Sequence, residues 1–90
     1  MSDYSLFLHK KALKFLEELQ QEETKKKIKQ SVERLSGYPL SLREMNVQKL
    51  EGLEKTFRIR VGGFRIFFHV DKKSRTIYVT NIEKRESAYE

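Results

Sequence analysis

Three arginines in the C-terminal half of the chain have the side-chain type and the spacing needed to hold phosphate. The segment KTFRIRVGGFRIFFHV, residues 55–70, carries Arg58, Arg60 and Arg65 between apolar residues. A guanidinium group is planar, permanently charged and able to donate two parallel hydrogen bonds to one phosphate. Arginines at alternate positions of a strand lie on one face of a sheet. The pattern therefore predicts a rigid cationic surface that binds a phosphate-bearing ligand.

The same segment predicts the β-hairpin that positions these arginines. Two alternating runs meet at Gly62-Gly63, a typical hairpin connection. The apolar side chains of the hairpin and of the strand after it are expected to lie beneath helices; they are Phe57, Ile59, Phe64, Ile66, Ile77 and Val79. Arg58, Arg60 and Arg65 are then expected on the open face, together with Tyr78.

The remaining elements follow from hydrophobic periodicity. Alternation over Tyr4 to Leu8 predicts a short strand, and helical spacing predicts one helix from Lys10 and a second from Glu22 to Ser36. Residues 37–52 are expected to be a connection, followed by strands at about 56–61, 64–70 and 76–82. We expect these side chains to be buried: Leu6, Leu8, Leu16, Leu19, Ile28, Val32, Leu35, Ile59, Ile66 and Val79.

These elements predict a single α+β domain over residues 1–90. It comprises an N-terminal strand, a helical hairpin and three antiparallel strands, with the helices packed on one face of the sheet. Thirty-eight per cent of the 90 residues are hydrophobic, enough for one modest core. The chain has no cysteine, which excludes disulfides and thiolate metal sites. No apolar run approaches the ~18 residues of a membrane span, and we expect a cytoplasmic protein.

The positive charge is concentrated in the segment predicted to form the sheet. Residues 55–85 hold nine basic and two acidic side chains, a net charge of +7, whereas residues 1–54 hold ten basic and nine acidic ones, a net charge of +1. Residues 86–90 contribute −2. This distribution predicts a polyanionic partner bound at the sheet. Lys72, Lys73 and Arg75 are expected only to solvate a turn.

Four segments resemble the RelE/ParE toxin superfamily of bacterial and archaeal toxin–antitoxin pairs. They are YSLFLHKKALKFLEEL at 4–19, KLEG at 49–52, FRIRVGGFRIFFHVD at 57–71 and IEKRESAY at 82–89. The resemblance implies a fold similar to that of small microbial ribonucleases. It also implies a ribosome-dependent endoribonuclease that cleaves mRNA in the A site and is inhibited by a RelB-like antitoxin. The implied partners are the antitoxin, the ribosome and mRNA, with no membrane and no cofactor.

The resemblance also implies the site residues. The catalytic positions are Arg58, Arg60, Arg65, Arg85 and Tyr89. Apart from the resemblance, we expect RNA binding at Lys49, Lys55, Lys84 and His69. Strand alternation predicts His69 on the same face as Arg65.

Metal-free RNA cleavage makes specific demands on such a site. The ribose 2′-hydroxyl needs a base, the departing 5′-oxygen needs an acid, and the phosphorane needs cations. The acidic residues are scattered and the two histidines are isolated in sequence, so we expect arginines to supply the cations. Arginine is a poor base. Tyr89 is the preferred base, because neighbouring cations favour its phenolate form, and His69 is the second choice.

Two other functions stay open at this point. A ParE-like protein of the same fold would inhibit DNA gyrase by binding, without RNA chemistry. A catalytically silent nucleic-acid-binding module would keep the basic surface alone. The arginine and tyrosine at positions 85 and 89, beside the three sheet arginines, favour the nuclease.

Overall fold

The computed structural model describes residues 4–45, 47–50 and 56–84, which form a five-stranded sheet with two helices. The elements are β1 (Ser5–Leu8), α1 (Lys10–Glu18), α2 (Glu22–Arg34), β2 (Val47–Lys49), β3 (Thr56–Val61), β4 (Phe64–Asp71) and β5 (Thr76–Lys84). Two 3₁₀ turns, Leu35–Gly37 and Leu40–Glu44, follow α2. The α+β fold predicted from the sequence is confirmed.

The strand order in the sheet is β1-β5-β4-β3-β2. β1 lies parallel to β5, whereas the other neighbouring strands are antiparallel. The prediction that residues 37–52 form only a connection is wrong, because Val47–Lys49 pairs with β3 as an edge strand. Three residues with one apolar member carry too little alternation to be recognised as a strand from sequence.

The core lies between the helices and one face of the sheet. Its buried side chains are Ala12, Leu16, Ile28, Val32, Leu35, Ile59, Phe64, Ile66, Phe68, Val70, Ile77, Val79 and Ile82. Leu6, Leu8 and Leu19 were expected in this group but are only half-buried. The first two lie on an edge strand, and Leu19 is the C-cap residue that follows α1. Burying one large apolar side chain stabilises the folded state by about 1.5–3 kcal/mol. The buried side chains between the helices and the sheet therefore hold these two layers together.

His9 begins the first helix. Its Nδ1 accepts a hydrogen bond from the backbone N–H of Lys11 at 3.3 Å, which satisfies one of the donors left free at a helix start. His9 therefore has a structural role.

The second helix has favourable charges at its start. Glu22 and Glu23 place negative charge in the first turn of α2, where the helix dipole favours it.

The β3–β4 turn depends on one glycine. Gly62 has a φ of 57°, and apart from its two chain neighbours no residue comes within 4 Å of the position where its Cβ would be. The requirement for glycine is thus conformational rather than steric. A positive φ at the first of two central turn residues is the arrangement that suits the right-handed twist of hairpin strands.

A β-bulge alters the last strand. β4 and β5 pair His69 with Tyr78 and Phe68 with Val79, but then Phe67 with Asn81, so Thr80 is the additional residue. The Thr80 hydroxyl donates to the carbonyl oxygen of Phe67 at 3.3 Å. Beyond the bulge the alternation of faces is shifted by one residue.

No helix within the described parts of the chain is long and apolar enough to cross a membrane.

Candidate functional site

The three arginines predicted to share a face do so. Ile59 and Ile66, their neighbours in sequence, are buried against the helices, and Arg58, Arg60 and Arg65 alternate with them. The two hairpin strands pair Arg60 directly with Arg65. We call Arg58, Arg60 and Arg65 the arginine group, and the sheet face opposite the helices the open face. The arginine group lies on two rigid strands beside a two-residue turn.

Arg58 is oriented by the edge strand. Its Nε donates to Oε1 of Gln48 at 3.0 Å, and its Nη2 donates to the same oxygen. Gln48 lies opposite Arg58 in the β2–β3 pairing. A neutral amide oxygen orients the guanidinium without cancelling its charge. The short strand that sequence analysis missed therefore supplies a positioning contact for the site.

No carboxylate of the described residues forms an ion pair with the arginine group. An ion pair joins Arg34, at the end of α2, to Glu44 on the connection that follows. Glu83 lies opposite Arg65 in the β4–β5 pairing, but its Oε2 accepts from Nδ2 of Asn81 at 2.8 Å. Arg60 and Arg65 lie opposite each other, and neither forms an ion pair with a described carboxylate. Both guanidinium groups can therefore bind an anion that comes from outside the protein, such as a phosphate.

Asp71, the other carboxylate on the open face, is held at the far end of β4. Its Oδ1 accepts from the backbone N–H groups of Lys73 at 3.0 Å and Ser74 at 3.3 Å. The hydrogen bond from Ser74 is the main reason that the pKa of Asp71 lies below its ordinary value. This carboxylate stabilises the β4–β5 turn.

His69 shares the open face, as predicted from strand parity. It lies opposite Thr56, whose Oγ1 is 3.4 Å from His69 Nδ1. It is four positions from Arg65 along β4, which corresponds to about 13 Å between Cα atoms. Arg58, displaced by two residues from Thr56, is the nearer member of the arginine group. His69 is thus placed beside the arginine group and not between Arg60 and Arg65.

Two of the predicted RNA-binding lysines, Lys49 and Lys84, do not share the open face. Lys49 pairs with Phe57 and Lys84 pairs with Phe64, so the register places both on the helix-side parity of the sheet. For Lys84 the cause is the bulge, since uninterrupted alternation from Tyr78 would place it on the open face. Their contact with RNA stays a prediction. Lys55, Arg85 and Tyr89 lie outside the described residues, and their predicted roles also stay predictions.

Aromatic side chains also occupy the open face. Phe7 of β1 is paired with Tyr78 of β5, and their ring centroids are 5.6 Å apart. Phe67 lies on the same face, opposite Arg58. Tyr78 was predicted on this face, whereas no role was predicted for Phe7 or Phe67. The available signal was that both phenylalanines occupy polar-side positions of alternating strands.

The described residues contain no cluster of three or more histidine or acidic side chains arranged to hold a metal ion. What the open face presents is fixed positive charge, hydrogen-bond donors and aromatic rings. This combination can bind phosphates and stabilise negative charge that develops on them.

The comparisons with known proteins agree on one family. The family model described as ParE toxin of the type II toxin-antitoxin system, parDE, matches residues 6–89. A curated protein of Methanocaldococcus jannaschii, provisionally named toxin RelE1, is 31% identical over 86 residues, covering 96% of this chain and 94% of that protein.

Solved structures show the same fold. The archaeal RelE-RelB complex from Pyrococcus horikoshii OT3 matches with a TM-score of 0.78 and 25% identity, covering 94% of this chain and 97% of that one. The RelB-RelE antitoxin-toxin complex from Methanococcus jannaschii matches with a TM-score of 0.72 and 25% identity, covering 92% of this chain and 94% of that one.

Proposed function

Because this chain belongs to the RelE/ParE superfamily of type II toxins, we propose that it inhibits translation by cleaving mRNA in the ribosomal A site. The observation that carries the proposal is the arginine group. Its three guanidinium groups stand on one rigid surface, and no carboxylate of the described residues is ion-paired with them.

The proposed reaction is an internal phosphoryl transfer. The ribose 2′-oxygen attacks the adjacent phosphorus, the P–O5′ bond breaks, and the products are a 2′,3′-cyclic phosphate and a 5′-hydroxyl end. One proton leaves the 2′-hydroxyl and one reaches the 5′-oxygen. Arg60 and Arg65 stabilise the phosphorane charge, which is greater in the transition state than in the bound substrate.

Arg58 is proposed to hold the substrate strand near the cleaved bond. Its fixed orientation on Gln48 reduces the reorganisation needed when a phosphate arrives. We retain Tyr89 as the proposed base, with His69 as the second choice. The separation of His69 from the Arg60–Arg65 pair disfavours direct transfer to a 2′-oxygen held between those two arginines.

We further propose that a RelB-like antitoxin neutralises the toxin by covering the positive surface. Two solved structures with this fold contain RelE and RelB together. An acidic or amphipathic segment would complement the net charge of +7 over residues 55–85. Alanine at all three positions of the arginine group should weaken antitoxin binding and lessen its salt dependence. Binding equal to wild type at every salt concentration would exclude an electrostatic contribution from these arginines.

The nuclease proposal is tested by cleavage of mRNA on programmed ribosomes under single-turnover conditions. Arg65→Ala should slow cleavage by about 10²–10³, the usual cost of losing one preorganised donor to a developing oxyanion. We expect the same of Arg85→Ala. Arg43→Ala is the matched control, because it removes an exposed arginine from the 3₁₀ turn at Leu40–Glu44 and should leave the rate unchanged.

Gyrase inhibition is the competing function within this superfamily, and the matching family model carries the ParE name. If the wild-type protein left mRNA on ribosomes intact but inhibited DNA supercoiling by gyrase, the nuclease proposal would be wrong. Failure of both assays would favour a silent binding module.

A further inference from the structure

We propose that Phe7 and Tyr78 form a stacking platform for bases of the RNA strand whose phosphates the arginine group holds. This inference rests on the proposed RNA substrate, and it assigns a binding site at the opposite edge of the open face. We call Phe7 and Tyr78 the aromatic pair.

The position of Phe7 is difficult to explain by packing alone. Its side chain is 54% exposed, while its neighbours Leu6 and Leu8 turn toward the helices and are half-buried. The ring touches Tyr78 at a centroid distance of 5.6 Å and an interplanar angle of 58°. An exposed large apolar ring on a sheet face opposite the core contributes little to folding. Together with Tyr78 it presents aromatic surface to solvent.

The aromatic pair is continuous with the arginine group across the sheet. Tyr78 is paired with His69, and His69 is paired with Thr56, two residues from Arg58. From strand spacing, Tyr78 and Arg58 are about 12 Å apart between Cα atoms. Phe67 lies opposite Arg58 on β4, the strand between them. A single extended strand can therefore contact both ends of this surface.

The combination of positive charge and exposed aromatic rings favours a nucleic-acid strand as the occupant of this surface. The acidic residues on the described part of the open face are Glu83 of β5, which lies opposite Arg65, and Asp71, which lies at the other end of β4. Both accept hydrogen bonds from neighbouring residues. The path from Arg58 to the aromatic pair thus crosses aromatic, histidine and threonine side chains and no carboxylate. A negatively charged strand that also presents flat rings complements this path.

The chemistry matches a known means of binding single strands. Sheets that bind single-stranded RNA stack splayed bases on exposed aromatic side chains, while cationic groups follow the phosphates. Stacking accepts every base, because each has a π face. We therefore infer that the aromatic pair holds the strand with little preference for base identity and keeps the scissile phosphate at the arginines.

The test measures binding of short, fluorescently labelled single-stranded RNA by anisotropy, with the full chain and with variants. Phe7→Leu retains apolar volume but removes the aromatic face. It should weaken binding by about 5- to 150-fold, the range for one stacked base. Tyr78→Phe keeps the ring and should bind like wild type. Leu40→Ala, which trims another exposed apolar residue, is the matched control. Circular dichroism confirms folding.

A second probe locates the stacked base. An abasic nucleotide keeps the phosphate and removes the ring, so at one position in the RNA it should weaken binding to wild type strongly and to Phe7→Leu very little. The salt dependence of binding should be unaltered in Phe7→Leu, whereas Arg58→Ala should reduce the salt slope by about one unit.

The outcomes separate this inference from the proposed function. The platform would be refuted if Phe7→Leu bound RNA like wild type and an abasic nucleotide weakened RNA binding equally for the two proteins. The proposed arginine-dependent cleavage could still be correct. If Phe7→Leu lost antitoxin binding but bound RNA like wild type, the aromatic pair would be a protein interface, and its assignment to RNA would be wrong. If wild type showed neither RNA binding nor cleavage, the proposed function and this inference would both fail.

Discussion

The hairpin that carries the arginine group should be sensitive to one methyl group at Gly62 and indifferent to one at Gly63. Both glycines have open space where a Cβ would lie, but only Gly62 has a φ in the left-handed region, at 57°. Alanine at each position therefore makes the same chemical change in the same turn. The two variants differ in backbone strain alone.

The magnitudes follow from the backbone conformations. A left-handed conformation costs an alanine about 1–2 kcal/mol. Replacing glycine by alanine also restricts the unfolded chain, which contributes about 0.4–1 kcal/mol of stability. Gly62→Ala should therefore lower the free energy of unfolding by about 1 kcal/mol, and Gly63→Ala should raise it by about 0.4–1 kcal/mol. At about 4–8 °C per kcal/mol for a domain of this size, the two melting temperatures should be clearly separated.

Urea unfolding followed by circular dichroism measures both free energies of unfolding. The wild-type protein and the Gly63→Ala variant are the controls. Equal stability of the two alanine variants would refute the assigned turn conformation. A slip of one residue in this hairpin would place the arginines beneath the helices, so the turn geometry bears directly on the site.

Three further changes have expected outcomes. Phe68→Ala should lower the free energy of unfolding by about 3–5 kcal/mol in the same urea assay, because this ring is fully buried; a loss under 1 kcal/mol would contradict the core assignment. Asp71→Ala should destabilise the protein at neutral pH. Because the pKa of Asp71 is lowered on folding, that contribution is present above the ordinary value of 3.8 and is lost as the pH falls through the folded-state value. Thermal unfolding from pH 7 to pH 2 should thus show the variant and wild type converging, and a constant difference would contradict this. Gln48→Ala removes the oxygen that accepts both hydrogen bonds from Arg58 and should slow mRNA cleavage by about tenfold. It should leave the salt slope of RNA binding unchanged, whereas Arg58→Ala should lower that slope.

Most of the correct predictions depended on local patterns of apolar and polar residues. The side chains of Ile59 and Ile66 had to be buried, and this placed Arg58, Arg60 and Arg65 on the other face before any pairing was known. The helices were predicted for the same reason, since apolar spacing is a local property of the chain. The helix-side face of the sheet could be read from sequence because burial of one face fixes the register.

Features that depend on long-range pairing were missed. The parallel contact of β1 with β5 joins residues at opposite ends of the chain, and no local pattern specifies it. The extra residue Thr80 shifts the faces beyond it, which moved Lys84 away from the position that simple alternation gives. Val47–Lys49 is too short to be recognised alone, so the contact between Gln48 and Arg58 could not be foreseen.

The central claim is that the arginine group performs chemistry on RNA, and the most direct measurement is the single-turnover rate of mRNA cleavage on programmed ribosomes for Arg65→Ala beside Arg43→Ala. The account predicts a rate about 10²–10³ below wild type for Arg65→Ala, a wild-type rate for Arg43→Ala, and circular dichroism spectra of both that match the wild-type protein. Full cleavage by a folded Arg65→Ala protein would contradict the account.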